Sequence, residues 1–130
     1  MTSWIEERAA ALGVAPQTAH AVQLCMEEAV TNVISYAFDP GSVHEIRIRL
    51  WRDGETLFAE ITDDGRQFDP LAYEVAPTAN DLASAAIGGL GIKLMRGYTG
   101  SMTYQRSGET NRLLMSFRAS DLPVALPPHI

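Results

Sequence analysis

Apolar residues recur every three or four positions along residues 17–38, which predicts a long helix with one buried face. Pro16 stands just ahead of this run, where the first turn of a helix tolerates proline. Residues 3–13 begin with the capping-box-like Ser-Trp-Ile-Glu and end at a glycine, which predicts a shorter helix in front of the long one. The chain is therefore expected to open with two helices.

A different pattern follows, because apolar and polar residues alternate over residues 44–51 and 56–62 with a tight turn between them. That pattern predicts a β-hairpin. A second hairpin is predicted for residues 101–106 and 111–118, with its turn at Ser-Gly. Between the hairpins, residues 88–95 open a short apolar-periodic helix.

The long helix carries the first candidate chemistry. Glu28 and Asn32 stand four residues apart and therefore share one helix face. A carboxylate and an amide one turn apart can accept a proton from a hydroxyl and ligate magnesium through the amide oxygen. By itself such a pair is more often an ordinary solvated polar face.

Two glycine-bearing segments supply further candidates. Asp63 ends a predicted strand, where it can accept a hydrogen bond from an exocyclic amine such as that of adenine, and Gly65 frees the turn behind it. Residues 88–91, Gly-Gly-Leu-Gly, open a helix whose free N–H groups can bind phosphate. The plainer alternatives are an Asp-Asp-Gly turn and a flexible linker, and neither GxGxxG nor Walker spacing is present.

In this order, the three segments resemble the N, G1 and G2 boxes of the GHKL ATPase superfamily. More narrowly, residues 26–38, with Phe-Asp-Pro at 68–70 and Gly-Leu-Gly-Ile at 89–92, are similar to stand-alone anti-sigma factor serine/threonine kinases. The resemblance runs from about Ile5 to Phe117. It implies an α+β fold, a two-layer α/β sandwich (the Bergerat ATP-binding fold) with helices on one face of a largely antiparallel sheet. Residues 1–130 would form one such domain, with an ATP lid at about 66–87 and a C-terminal tail at about 120–130.

The resemblance also implies roles for residues that match the family. Glu28 would be the general base toward a serine hydroxyl, and Asn32 would hold Mg2+ beside ATP. The other expected nucleotide contacts are Asp63 to the adenine amine, Gly65 for close approach of the base, Gly89 and Gly91 with Lys93 to phosphates, and Thr110 to adenine through water.

The family implies partners as well. One is an anti-sigma-factor antagonist that carries the substrate serine, another is a sigma factor or similar output protein, and a homodimer is common among relatives. An alternative is a nucleotide-gated switch protein that sequesters or activates its partner without phosphorylating it. The catalytic domain of a sensor histidine kinase fits less well, because no helical hairpin with a phospho-accepting histidine precedes Glu28.

Length, net charge and cysteine content limit the classes of protein and of partner that we expect. A chain of 130 residues suits one domain, and a net charge of -6 argues against direct nucleic-acid binding. ATP binding is then expected to rest on magnesium and local N–H groups rather than on the overall field. Cys25 is the single cysteine, which favours a reducing, cytoplasmic setting. No membrane-spanning run, signal pattern or histidine cluster is visible.

Overall fold

The structure, a computed structural model, describes residues 1–73 and 90–120. Its helices are α1 (Thr2–Ala11), α2 (Pro16–Asn32) and α3 (Leu90–Tyr98). A π-helical turn, Val33–Ala37, continues α2, and a 3-10 turn spans Pro70–Tyr73. The strands are β1 (Ile46–Asp53), β2 (Thr56–Asp63), β3 (Ser101–Ser107) and β4 (Thr110–Arg118).

The four strands form one sheet in the order β1-β2-β4-β3, and each neighbouring pair is antiparallel. Both hairpins turn tightly at a glycine with positive φ, Gly54 and Gly108, each at 60°. Since β4 pairs with β2 and the two strands are antiparallel, the carboxyl end of β2 and the amino end of β4 lie side by side at the centre of the sheet. The predicted fold class, helices packed with an antiparallel sheet, is confirmed.

The core lies between the sheet and the helices. Residues at the helical spacing on α2 and at alternate positions on β2 and β4 point into it, which is the arrangement that buries one face of each element. Its largest fully buried side chains are Ile5, Val22, Cys25, Met26, Leu57, Ile61, Ile92, Met95 and Met115. Among the described residues, no helix is both long and apolar enough to cross a membrane.

Some predicted boundaries were wrong. Helix α1 begins at Thr2 with Met1 at its N-cap and no capping side chain, so the expected capping box at Ser3 does not form. The regular part of α2 ends at Asn32, where the backbone changes to the π-helical turn. Strand β1 starts at Ile46, and His44, which was predicted to lie in this strand, precedes it and contacts Asp64.

The expected lid falls only partly within the described residues. Residues 66–73 belong to the turn that follows β2 and to the 3-10 turn after it. The remainder of the expected lid, residues 74–87, and the expected tail beyond residue 120 lie outside the described residues.

Candidate functional site

Glu28 lies at the amino end of α3. A Cβ atom placed on Gly91 would stand 2.5 Å from Oε2 of Glu28, so this close approach depends on the missing side chain of Gly91. The first turn of α3 carries N–H groups without partners inside the helix, and its partial positive charge attracts negative groups. The predicted base and one predicted phosphate-binding glycine are therefore brought together.

Cys25 is packed beside this corner, one turn before Glu28 on α2. Burial first, and the negative charge of Glu28 second, raise the pKa of the Cys25 thiol to about 12. The thiol is fully buried and free. The Cys25 side chain is thus part of the hydrophobic core beneath Glu28, and its thiol stays protonated.

Asp63 is held at the end of β2, with 4 % of its surface exposed. Its Oδ1 atom accepts two hydrogen bonds, from the Gly65 N–H at 2.9 Å and from Nδ2 of Asn111 at 2.9 Å. Both of these bonds go to the same oxygen, so Oδ2 is the atom that can receive a ligand. This matches the predicted role as acceptor for an exocyclic amine, which itself stays a prediction.

Gly65 lies under the π-helical turn that continues α2. A Cβ atom at this position would stand 2.5 Å from the Ala37 carbonyl oxygen and 2.8 Å from the Phe38 ring. The Arg66 N–H donates to the same Ala37 oxygen at 2.9 Å. Turns of this kind often mark functional sites inside helices. Here the π-helical turn locks the segment after β2 against the end of α2.

The segment 64–66, which follows β2, also makes side-chain contacts with residues between α2 and β1. His44 stacks on Phe38 with ring centroids 4.2 Å apart, and its Nδ1 lies 3.0 Å from the Asp64 carboxylate. The hydrogen bond to His44, followed by that from the Glu45 N–H, lowers the pKa of Asp64 below its ordinary value. Arg66 also pairs with Asp39. Residues 64–66 are therefore fixed on both sides.

Asn32 is buried, with 5 % of its surface exposed, and its Nδ2 has no hydrogen-bond partner in the described part of the chain. A buried amide without a partner is costly, and a ligand that supplies one removes that cost. Together with Asp63, Asn32 lines a cavity of about 20 Å³ that Phe68 and Tyr104 also border. This volume holds about one water molecule, so a purine enters only after lining side chains move apart.

Asn32 could contact a magnesium-bound nucleotide through two different atoms: the unpartnered Nδ2 can only donate a hydrogen bond, for example to a phosphate oxygen, whereas the amide oxygen can ligate a metal. Within residues 1–73 and 90–120, no three histidine, cysteine or acidic side chains form a metal-binding group. Magnesium commonly takes few protein ligands and fills its octahedron with phosphate oxygens and water. The Asn32 amide oxygen would be the protein ligand in such an arrangement.

The sequence reasoning did not find Asn111, which the structure places at the centre of the site. Its side chain is 4 % exposed and bonds to Asp63 and to the Arg66 carbonyl. In the β2–β4 register, Asp63 stands opposite Asn111. The apolar alternation of β4, with Leu113, Met115 and Phe117 buried, was the signal that could have placed Asn111 on the inner face.

Thr110 and Lys93 do not line the small cavity that Asn32 and Asp63 share. Thr110 is exposed and lines an open depression of about 290 Å³ together with Asp63, Thr62 and Asp64. That depression shares Asp63 with the small cavity but includes neither Glu28 nor Asn32. Lys93 is exposed on α3, and Gly89 lies outside the described residues. The contacts predicted for these three residues stay predictions.

The helices and the antiparallel sheet form an α/β sandwich. Residues 1–117 match the family described as the histidine kinase-like ATPase domain, and the chain belongs to this family. The description of the family as an ATPase domain implies that the domain binds ATP. The resemblance to the GHKL superfamily is thereby confirmed.

Individual relatives agree with this assignment. The chain is 34% identical over 93 residues to the serine/threonine-protein kinase BtrW of Bordetella bronchiseptica, covering 72% of this chain and 66% of that protein. It superposes on the histidine kinase domain of the blue-light activated kinase from Erythrobacter litoralis EL346 with a TM-score of 0.60, 18% identity and coverage of 91% and 60% of the two chains. For the Acinetobacter baumannii histidine kinase AdeS, the TM-score is 0.52 at 13% identity, covering 78% of this chain and 47% of that one. The two structural matches show the shared fold.

Proposed function

We propose that the protein is an ATP-dependent serine/threonine protein kinase that acts as an anti-sigma regulatory factor. The observation that carries this proposal is the contact between the Glu28 carboxylate and Gly91 at the amino end of α3. A protein that only binds nucleotide has no need of a carboxylate where phosphate is expected. The name of BtrW, a serine/threonine-protein kinase, supports the same choice of substrate.

In the proposed reaction, Glu28 accepts the proton of a serine hydroxyl on the partner protein. The serine oxygen forms a bond to the γ-phosphorus of ATP while the bond from that phosphorus to the β-γ bridging oxygen breaks, and ADP leaves. Positioning and charge neutralisation carry most of such a reaction, and a base adds a smaller share. Bound magnesium, held by Asn32, would neutralise charge on the phosphate oxygens.

The substrate we propose is an anti-sigma-factor antagonist, which this kinase would inactivate by phosphorylation. A sigma factor or similar output protein would then be held while the antagonist is phosphorylated. This pathway belongs to the cytoplasm. The support is the likeness of residues 26–38 to the kinases of partner-switching pathways, together with the match to BtrW.

The test is transfer of labelled phosphate. The purified protein is incubated with magnesium, γ-labelled ATP and candidate antagonist proteins encoded nearby, and label on serine is followed. We expect Glu28→Ala to keep ATP binding and to lose transfer by about a hundredfold or more. Glu27→Ala is the matched control, because Glu27 is the exposed neighbour of Glu28 on the same helix. This variant should transfer phosphate at the normal rate.

Two results would count against the proposal. Normal transfer by Glu28→Ala would refute the assigned base. Tight, magnesium-dependent ATP binding without transfer to any candidate would instead favour the nucleotide-gated switch protein, which uses the same pocket without chemistry.

A further inference from the structure

We propose that Arg106, on the edge strand β3, is a positioning residue of the nucleotide site. Its guanidinium holds the backbone at Gly65 in the conformation that lets a nucleotide base approach. The inference deepens the proposed function, because it concerns the same site, and it rests on that function for the place of the base beside Asp63. Arg106 acts on how tightly a nucleotide binds and not on the transfer of phosphate.

Arg106 is the outer member of a polar row that crosses three strands on the inner face of the sheet. In the strand registers, Asp63 on β2 stands opposite Asn111 on β4, and Asn111 stands opposite Arg106 on β3. The next two rows are apolar or aromatic and consist of Ile61, Leu113 and Tyr104, then Ala59, Met115 and Met102. Opposite residues of antiparallel strands lie close enough to interact. The polar row therefore replaces the apolar core at the end of the sheet where the candidate site lies.

The guanidinium of Arg106 connects three separate groups. Its Nη1 donates to the Gly65 carbonyl oxygen at 2.8 Å and to Oδ1 of Asn111 at 3.1 Å. Its Nε donates to the Gly108 carbonyl oxygen at 3.0 Å, in the turn of the same hairpin. All three acceptors are neutral oxygens, so these contacts depend on the fixed directions of the guanidinium N–H groups. Arg106 thus joins the β3–β4 turn to the turn that follows β2.

The contact with Gly65 completes the restraint of one peptide group. The peptide group that joins Gly65 to Arg66 donates its N–H to the Ala37 oxygen at 2.9 Å, and its carbonyl oxygen accepts from Arg106. The N–H of Gly65 donates to Asp63 at 2.9 Å. Without Arg106 the Gly65 carbonyl loses this donor, which is costly for a group away from water, and the peptide group gains freedom to rotate.

Loss of this restraint should weaken all adenine nucleotides by a similar factor, because Gly65 and Asp63 are the residues expected at the base. We expect Arg106→Ala to raise the Kd of both ATP and ADP by about five- to thirtyfold. A cation that attracted phosphates would instead act more strongly on ATP, which carries one phosphate more. Comparing the two nucleotides therefore separates positioning of the backbone from attraction of charge.

A lysine at the same position tests whether the positive charge is sufficient. Arg106→Lys keeps the charge, but one ammonium group cannot reproduce the planar fork that reaches Gly65, Gly108 and Asn111 together. We expect this variant to lose most of the ATP affinity that Arg106→Ala loses. Because it keeps the length and charge of the side chain, it also carries the test if Arg106→Ala does not fold.

The experiment measures Kd for ATP and for ADP with magnesium, well below the melting temperature of each variant, together with the melting temperatures. Arg112→Ala is the matched control, because Arg112 follows Asn111 on β4 and pairs with Glu60 on the outer face of the sheet. This control should lower the melting temperature while both affinities stay within about twofold. An arginine with a structural role alone would behave in the same way at position 106.

The outcomes separate the inference from the proposed function. Affinities that stay within about twofold in both Arg106 variants, in a protein whose unmodified form binds ATP, overturn the inference alone. A loss for ATP much larger than that for ADP overturns it too, since Arg106 would then act on phosphate. Full ATP affinity in Arg106→Lys would contradict the role of the guanidinium geometry. An unmodified protein that binds neither nucleotide overturns the proposed function and the inference with it.

Discussion

At the scale of single residues, two glycines with different surroundings show which positions the site requires. Gly65 lies against backbone, the Ala37 carbonyl, whereas a Cβ atom on Gly97 would meet nothing within 4 Å. Backbone held by neighbouring hydrogen bonds cannot move aside as the end of a side chain can. The cost of adding one methyl group should therefore differ sharply between these positions.

Gly65→Ala should lower the free energy of unfolding by about 1–3 kcal/mol and weaken ATP binding, because the methyl group forces Ala37 and the turn after β2 apart. Urea unfolding and ATP titration measure the two effects. In Gly97→Ala the new methyl group stands in open space on a helix, so stability should stay the same or rise by up to about 1 kcal/mol. Equal effects of the two substitutions would contradict the close approach at Gly65.

The Cys25 thiol gives a second prediction at this scale. Because burial and the Glu28 charge raise its pKa to about 12, the native thiol stays protonated at pH 8 and should react with thiol reagents only when the protein opens. Labelling of the folded protein should be many times slower than labelling in denaturant. Since the folded pKa is raised, stability is complete below the pKa of the unfolded thiol and declines as the pH rises above it. Rapid labelling of the folded protein at pH 8 would contradict the burial of this side chain.

At the scale of elements, the outer face of the sheet is joined by a carboxylate shared between strands. Glu60 on β2 lies opposite Arg49 on β1 and near Arg112 on β4, with N–O distances of 3.3 and 2.5 Å. Its side chain is 5% exposed, although the arginines are 67% and 44% exposed. Trp51 and Phe58 stack beside this group with Arg49 over the indole ring. The edge strand β1 and the two central strands, β2 and β4, are thus held together on the face away from the helices.

Glu60→Ala should lower the free energy of unfolding by about 1–2 kcal/mol, since it leaves two arginines without their shared acceptor. The loss in the free energy of unfolding should be smaller in 1 M NaCl, because salt screens the attraction between the Glu60 carboxylate and the arginines. Urea unfolding at low and high salt measures both. Glu45→Ala is the control, because the pair of Glu45 and Arg47 is exposed on both sides and should be worth less than about 1 kcal/mol. If both substitutions lower the free energy of unfolding equally, Glu60 does not stabilise the sheet more than an exposed ion pair does.

At the scale of the whole molecule, the charge balance works against an anionic ligand. The chain carries a net charge of -6, and ATP is strongly negative. Binding must therefore come from local groups, the first N–H groups of α3 and the magnesium ion, and not from long-range attraction. Salt should reveal this, because it screens the long-range field more than contacts inside a pocket.

We expect the association rate of ATP to stay constant or to increase between low and physiological ionic strength. Stopped-flow binding of a fluorescent ATP analogue at several NaCl concentrations, with magnesium fixed, measures it. A rate that falls steeply as salt is added would mean that a positive local field steers the nucleotide, contrary to this expectation.

The sequence by itself determined the local elements and the residues that each of them carries. Periods of 3.6 and 2 predicted α2 and the two hairpins, and they put Glu28 and Asn32 on one helix face and Asp63 at a strand end. These features depend only on neighbouring residues, so they can be recognised without knowing the rest of the fold. The resemblance in three short segments then indicated the family.

Only the tertiary structure decided which of these groups meet. The register of β2 against β4 places Asn111 rather than Thr110 beside Asp63, and a shift of one residue would have exchanged the two faces. The contact of Glu28 with Gly91 joins elements far apart in the chain, and the π-helical turn that covers Gly65 interrupts a pattern that predicted a continuous helix. Pairing register and helix packing depend on the whole core, which explains why local periodicity could not supply them.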